Sequence, residues 1–293
     1  MNELSDDKLF SLNKIGIIPG PNETPEDFAK RAEYCLHLLE NFPDELKNSL
    51  NAEASSAADV LNSPINLLAI HYDISPRWIP LVYSNHRLPF WHGGCAWIYQ
   101  LTEETPTAAL IQLRRHFKNA SHYLKIYDRK ELLTHELCHV GRMMFQEPKF
   151  EEVIAYNTSP YSFRRWLGPL AQSSIESVMF VLIIFMILVF DVFLISTHRP
   201  DAYMMALWLK LVPALLILGA LTRLWGRHSS LQKCTAHLAD AVGEKHAHAV
   251  LYRLTDAEII HFSKITPPEI KKYASAESKN SLRWHVIKQS YFT

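Results

Sequence analysis

Apolar and polar residues recur along this chain with periods that change from segment to segment, and each period predicts one type of element. Near the N-terminus, Thr24 suits a helix N-cap and Pro25 suits the first helical position. Apolar residues then follow at helical spacing: Phe28, Ala32, Cys35, Leu36 and Leu39. The pattern predicts a packing helix within a helical N-terminal segment, residues 1–60.

Residues 80–113 have a different pattern. Three short segments, "IPLVYS", "CAWIYQ" and "TAALIQL", are rich in β-branched and aromatic residues, and "HGG" and "TEETP" separate them. We expect strands of a small sheet, with the last two strands paired as an antiparallel hairpin.

The next stretch, "YDRKELLTHELCHVGRMMFQEP", is typical of a helix. Asp128 and Glu131 have the spacing of a capping box, and Pro148 marks the expected end. A second, shorter helix is predicted over "FEEVIAYN".

Two long apolar runs follow, at residues 178–195 and 203–221, each 18 to 19 residues long. Roughly 20 residues are needed to cross a hydrocarbon core. A pair of buried core helices is the alternative, but a soluble domain of this size rarely contains two such runs joined only by "STHRPDA". We therefore predict a transmembrane hairpin within residues 171–225.

Basic residues flank the hairpin on the outside: Arg164 and Arg165 before the first run, and Arg223, Arg227 and Lys233 after the second. The connecting loop has only Arg199, next to Asp201. The positive-inside rule then places both termini and both large soluble parts in the cytoplasm.

Each run contains one charged residue. Asp191 and Lys210 fall at similar depth in an antiparallel hairpin, and charges in lipid are costly unless paired, so we predict an interaction between them. Pro213 lacks a backbone donor and is expected to kink the second span. Residues 226–293 form a C-terminal helical region, in which Thr255 and Glu258 have capping-box spacing.

Composition narrows the choice of compartment and partner. Thirty basic side chains balance thirty acidic ones, which gives no support for a nucleic-acid partner. The four cysteines are scattered without paired spacing, and the first ten residues are polar. We expect a reducing compartment and no cleaved secretory signal.

The predicted helix after Asp128 contains His-Glu-Leu-Cys-His. His135 and His139 lie on one helical face, so their imidazoles can converge on one metal ion. Zn²⁺ favours imidazole nitrogen, and a catalytic site takes three protein ligands plus water. Glu136 lies beside His135 and can reach that water without being a ligand.

The shorter helix offers a third ligand. Glu151 and Glu152 follow His139 by 12 and 13 residues, and only one of them can point at the metal because neighbours on a helix diverge by about 100°. Here the sequence resembles the glutamate zincins, metallopeptidases with two histidines and a downstream glutamate as zinc ligands. "Glu152-Val-Ile-Ala155" fits the Glu-x-x-Ala frame of several of those families, which favours Glu152, with Glu151 as its supporting partner or fallback.

The resemblance covers about residues 80–156 and implies a zincin-like domain, residues 61–170, with a small mixed sheet and an active-site helix. It also implies that "TAALIQL" is the edge strand that pairs with an extended substrate peptide. Tyr156 stands where the family pattern usually has Asp or Asn, and a tyrosine there could donate a hydrogen bond to a histidine partner or to a substrate oxyanion.

The sequence thus predicts an α+β, membrane-anchored zinc peptidase with two spans. Zn²⁺ is held by His135, His139 and Glu152, and Glu136 is the general base. The first span begins only about 26 residues after Glu152, which favours membrane-associated peptide or protein substrates. Two other classes fit less well: a non-enzymatic membrane adaptor whose metal is structural or absent, and a transporter or channel subunit suggested by Asp191 and Lys210.

Overall fold

The computed structural model describes residues 4–51, 53–54, 58–170 and 174–292, which fold into a mixed α and β structure. The helices are α1 (Asp6–Lys14), α2 (Pro25–Leu36), α3 (Asp44–Ser49), α4 (Ala58–Tyr72), α5 (Arg129–Gly141), α6 (Pro148–Tyr156), α7 (Ser162–Leu167), α8 (Ser174–Ser196), α9 (Pro200–Ala206), α10 (Leu211–Val242), α11 (Glu244–Tyr252), α12 (Asp256–Phe262), α13 (Pro267–Glu277) and α14 (Leu282–Tyr291). The strands are β1 (Glu53–Ala54), β2 (Leu81–Tyr83), β3 (Gly94–Tyr99), β4 (Ala108–Leu113), β5 (His122–Tyr123) and β6 (Tyr127–Asp128).

The main sheet has four strands in the order β1-β2-β4-β3. The predicted hairpin is confirmed, because β3 and β4 pair antiparallel from Gly94↔Leu113 to Tyr99↔Ala108. The expected edge strand was wrong. β4, which contains "TAALIQL", lies between β2 and β3, and β3 is the edge strand. Every residue of β4 is buried, which suits an interior strand and explains its continuous apolar run.

The helix starts that were predicted from local sequence signals are confirmed. The Thr24 side chain accepts a hydrogen bond from the Asp27 backbone N–H, and Pro25 is the first residue of α2. Thr255 and Glu258 form the predicted capping box of α12. Along α2, the inner part of the predicted stripe is buried, whereas Leu36 is exposed at the end of the helix.

The helix that carries the histidine motif starts as predicted but ends early. Asp128 caps α5 by accepting from the Glu131 N–H, while the Glu131 carboxylate bonds to Ser159 and Arg164 instead of closing a capping box. α5 ends at Gly141, not at Pro148. The Tyr252 hydroxyl donates a hydrogen bond of 2.6 Å to the carbonyl oxygen of Cys138 in the last turn, so this oxygen is engaged by a residue outside the helix.

One hydrophobic cluster joins the N-terminal, central and C-terminal soluble segments. Leu9 of α1, Phe28 of α2, Leu137 of α5, Leu238 of α10 and Trp284 of α14 all belong to it. The C-terminal helices therefore support the helices that carry the histidine motif.

Two helical segments are long and apolar enough to cross a membrane, Ile175–Ser196 and Pro200–Val242. Almost none of their most apolar windows is buried within the protein, which separates them from core helices. The predicted pairing is confirmed, since Lys210 Nζ lies 3.1 Å from Asp191 Oδ2. The second segment is interrupted by a 3₁₀ turn at Leu207–Lys210, the turn just before Pro213. α10 continues beyond the apolar run into the soluble core.

Candidate metal centre

α5 and α6 place the four residues of the predicted site next to one another. His135 and His139 lie one turn apart on α5, and their Nε2 atoms are 3.2 Å apart. Glu152 of α6 faces both: its Oε2 lies 3.5 Å from His135 Nε2, and its Oε1 lies 3.6 Å from His139 Nε2. The buried Ala155, one turn further along α6, leaves room for the two helices to pack closely.

These three side chains could hold a metal ion, since their ligand atoms all lie within 4.8 Å of one another. With bonds of about 2.0–2.1 Å, two corners of a tetrahedral zinc site are separated by roughly 3.3 Å. The two imidazole nitrogens lie 3.2 Å apart, which is close to that value, and each lies 3.5 or 3.6 Å from a different oxygen of the Glu152 carboxylate. Two imidazole nitrogens and one carboxylate oxygen are also a ligand set of catalytic zinc sites, so the residues fit the ion.

Glu151 takes the supporting position. Its Oε1 lies 3.0 Å from His139 Nδ1, the ring nitrogen that faces away from the cluster. A carboxylate only accepts hydrogen bonds, so Nδ1 donates, and once the ring is neutral its lone pair lies on Nε2. Arg142 Nε in turn donates to Glu151 Oε2 at 2.9 Å. This arrangement fixes the His139 tautomer and ring orientation, as second partners of zinc-bound histidines do.

Opposing effects set the protonation of the side chains at this site. Burial disfavours the charged form of His139, but the hydrogen bond and charge of Glu151, with the charges of Glu152 and Glu136, outweigh it and raise the His139 pKa to about 9. Burial raises the pKa of Glu152, yet its contacts with His135 and His139 lower it overall. The Glu151 and Glu152 carboxylates therefore stay ionised, and metal binding would displace a proton from His139.

Glu136 points toward the sheet. Its Oε2 accepts a hydrogen bond of 2.7 Å from the backbone N–H of Ala96 on β3. In the β3–β4 ladder, Gly93 O accepts from Arg114 N, and the pairing alternates from there. The backbone groups of Gly94, Ala96 and Ile98 therefore face away from β4. The free edge of β3 runs past the carboxylate of Glu136.

Tyr156 contacts His135 through its ring, with the two centroids 4.5 Å apart and the planes at 63°. The other side of the tyrosine ring packs on Gly168, where a Cβ atom would come within 2.5 Å of it. Burial and the nearby Glu152 charge raise the Tyr156 pKa to about 12. The phenol thus remains neutral, and its ring restricts the orientation of His135.

The cluster lies between two cavities. One, of about 260 Å³, is bordered by His92, Tyr127, Glu131, Thr158 and Arg164. The other, of about 640 Å³, is bordered by Cys95, Ile98, Met143, Gln146 and Glu147. Both include His135, Glu136 and Glu152 in their walls. An extended ligand along β3 would thus pass the three donor atoms with space on either side.

The place of Arg142 one turn after His139 leaves three alternatives open from the sequence: a contact with substrate, a contact with a glutamate, or a surface ion pair. The contact with a glutamate is the one found, because Arg142 is buried and donates to Glu151. Sequence reasoning missed one part of this site. The contact between Ala96 and Glu136 has no signal in the sequence, because it depends on which strand lies at the edge. Cys138 lies inside the motif but off the face of His135 and His139, where the sequence predicts a packed thiol, and it is buried.

Comparison with protein-family models, with curated proteins and with solved structures gives no significant match to this chain. The function is therefore inferred from the site itself.

Proposed function

We propose that this protein is a membrane-anchored, zinc-dependent peptidase that cleaves membrane-associated peptides or proteins. The convergence of His135, His139 and Glu152, with the two imidazole nitrogens 3.2 Å apart and each within 3.6 Å of a Glu152 oxygen, is the observation that carries the proposal. Glu136 beside this cluster, and the open edge of β3, support peptide hydrolysis over a purely structural metal.

When bound, zinc would lower the pKa of a coordinated water and polarise the scissile carbonyl. Glu136 accepts the proton of the attacking water and transfers it to the leaving amine. Outward-facing backbone groups of β3 pair with the extended substrate and hold its carbonyl near the cluster. Glu151 and Arg142 keep His139 in orientation.

Membrane anchoring rests on the two exposed apolar helices α8 and α10, joined through α9. The basic residues outside the hairpin, set against a loop with only Arg199, favour a cytoplasmic location for the soluble part. The short connection from α6 to α8 keeps the cleft close to the bilayer. That closeness favours substrates that lie at the membrane surface.

Metal content is the first test. The purified full chain should contain about one zinc per molecule. Glu152→Ala removes a ligand and should lose the ion, whereas Glu151→Ala removes no ligand but takes away the partner of His139 and Arg142, and should weaken zinc affinity about 10- to 100-fold. Elemental analysis with competition against a chelator measures both. Absence of zinc from the wild-type chain, or equal loss in both variants, would contradict the assignment.

Catalysis is tested separately. Glu136→Gln should keep zinc and lose cleavage of a peptide library, because the amide cannot accept the water proton. Glu40→Gln, an exposed carboxylate on the turn after α2, is the matched control. Full activity of Glu136→Gln would refute its role. Zinc without any cleavage by the wild-type chain would favour the adaptor with a structural metal.

A further inference from the structure

A group of large apolar side chains lies exposed beside the smaller cavity of the candidate site. Three separate segments contribute to it, and we name it the interfacial patch: Phe90, Trp91, Leu124, Ile126, Tyr161 and Phe163. Exposure is high, reaching 69% for Phe90 and 72% for Phe163. Contiguous apolar surface of this kind marks an interaction site on a folded protein.

Two hydrogen bonds join the three segments. The Tyr123 hydroxyl donates to Phe90 O at 2.6 Å, which ties the β5–β6 hairpin to the segment before β3. Arg164 donates to Ile126 O, and its guanidinium lies 5.7 Å from the centroid of the Tyr161 ring. α7 is thereby fastened to the hairpin tip.

The hairpin tip has an unusual sequence for its shape. Leu124 and Lys125 both have positive φ, 52° and 58°, and Ile126 N donates back to Tyr123 O at 3.1 Å. A turn with two positive φ angles normally takes Asn-Gly, because a Cβ atom is strained there. Here the strained positions instead expose a leucine and a lysine, with an isoleucine next to them.

The patch begins at the level where the membrane-spanning helices end. On α10, Trp225 is the last large apolar side chain that is exposed, and Arg227 and His228 are already buried in the soluble part. Trp166 of α7 stacks on the His228 ring, with centroids 5.1 Å apart. Three residues of helix span about 4.5 Å, so Trp166 and the patch on α7 lie next to the membrane boundary on α10.

We propose that the interfacial patch inserts into the headgroup region of the bilayer. The inference rests on the membrane anchoring in the proposed function and adds its consequence for substrate access. Aromatic side chains favour the membrane–water interface, and Lys125 at the tip suits an anionic surface. Arg164 and Tyr127, which border the 260 Å³ cavity, lie directly behind the patch. The cleft therefore opens along the bilayer surface and receives an extended polypeptide segment that leaves the membrane.

Spin labels in the full chain, reconstituted in phosphatidylcholine–phosphatidylglycerol vesicles, test this placement. Labels on Ile126→Cys and Phe163→Cys report the patch, and a label on Val181→Cys, exposed on α8, reports the hydrocarbon core. Leu39→Cys is the matched control, an exposed leucine that follows α2. The native cysteines are buried or half-buried, and labelling of the unmutated chain measures their background.

Collision with oxygen relative to a water-soluble nickel chelate is measured for each label. We expect the ratios at positions 126 and 163 to rise from the value at position 39 toward the value at position 181. If the oxygen-to-nickel collision ratios at positions 126 and 163 equal the ratio at position 39 while position 181 has a lipid-like ratio, the patch does not insert into the bilayer, and the membrane anchoring still stands. A water-like value at 181 overturns both. If the labels at positions 126 and 163 become protected from the nickel chelate only after a cytosolic protein is added, bilayer insertion of the patch is rejected in favour of a protein partner. The zinc content of the protein is measured separately, so a failure of the patch proposal can be told apart from a failure of the proposed metal site.

Discussion

Arg142 links the candidate metal centre to the C-terminal helices. Its side chain is fully buried, with Nε on Glu151 and Nη1 on the carbonyls of Tyr252 and Leu254 at 2.5 and 3.0 Å. Contacts with Phe145, whose ring centroid lies 4.4 Å from the guanidinium carbon, cover one face. Arg142 thus orients Glu151, the partner of His139, and connects the end of α5 to the segment that follows α11.

Arg142→Met should therefore be strongly destabilising. It leaves the Glu151 carboxylate without its buried partner, which costs about 3–5 kcal/mol in the free energy of unfolding. Denaturant titration in detergent measures this value. Arg77→Met, at an exposed arginine, is the matched control and should change stability by no more than about 0.5 kcal/mol. Similar losses in both variants would show that Arg142 has no special role.

At the scale of elements, the position of β3 decides how the cleft can be used. Among the residues that the structure describes, the strand pairs with β4 on one side only, and its outward N–H at Ala96 donates to Glu136. An edge strand with free backbone groups is a template for another strand. The hairpin of α8 and α10 is the other element whose position matters, since its charged pair lies within apolar surroundings.

Ala96→Pro should separate substrate pairing from metal binding. Proline is tolerated on the outward side of an edge strand. At position 96 it removes the backbone N–H that donates to Glu136, and it prevents a substrate strand from pairing at this position. We expect zinc content near that of the wild type and a loss of peptide cleavage. Ala96→Ser, which keeps the N–H, is the control. Unchanged cleavage by the proline variant would exclude pairing along β3.

The charged pair of the hairpin should show coupling in a double-mutant cycle. Asp191→Asn and Lys210→Met each leave one partner unpaired in the apolar hairpin, so each single change should lower insertion and thermal stability. The double variant should lose less than the sum of the two. Protease protection and thermal aggregation in detergent measure these effects. Strict additivity, or two silent single variants, would mean that the contact contributes nothing.

At the scale of the whole molecule, the C-terminal helices complete the core beneath the site. Glu258 of α12 is buried and accepts from Arg283 at 2.8 Å, from the Trp284 indole at 2.6 Å and from Thr255 N at 2.7 Å. Burial opposes its ionisation, but these partners outweigh burial and lower the Glu258 pKa. The charge of this carboxylate therefore helps to hold α12 and α14 together.

Stability should depend on pH through Glu258. Because its folded-state pKa is lowered, its contribution is complete above the unfolded value of about 4.5 and is lost as pH falls through the folded value. Glu258→Gln should cost about 3–5 kcal/mol at pH 7, with the difference from the wild type shrinking as the pH falls below the unfolded-state pKa of Glu258. Unfolding free energies across this range measure it. A gap that stays constant with pH would exclude the ionised pair as its cause.

Much of the secondary structure follows from local signals. Thr24, Asp128 and Thr255 cap helices as their short-range patterns predict, since a cap depends on residues three positions apart. The long apolar runs and the charges at positions 191 and 210 were sufficient to predict a paired hairpin. The end of α5 was not predictable, because it depends on a hydrogen bond to Cys138 O, in the last turn of the helix, from Tyr252, which is over a hundred residues away.

The sequence by itself determined the types of elements, the two apolar helices and the spacing of His135, Glu136 and His139 on one helix. Each of these depends on residues within a few turns of one another. Only the tertiary structure decided that Glu152 faces the histidines while Glu151 meets Arg142, and that β3 is the free edge. The physical reason is that strand order and the burial of Arg142 depend on contacts between distant segments, which no local periodicity contains.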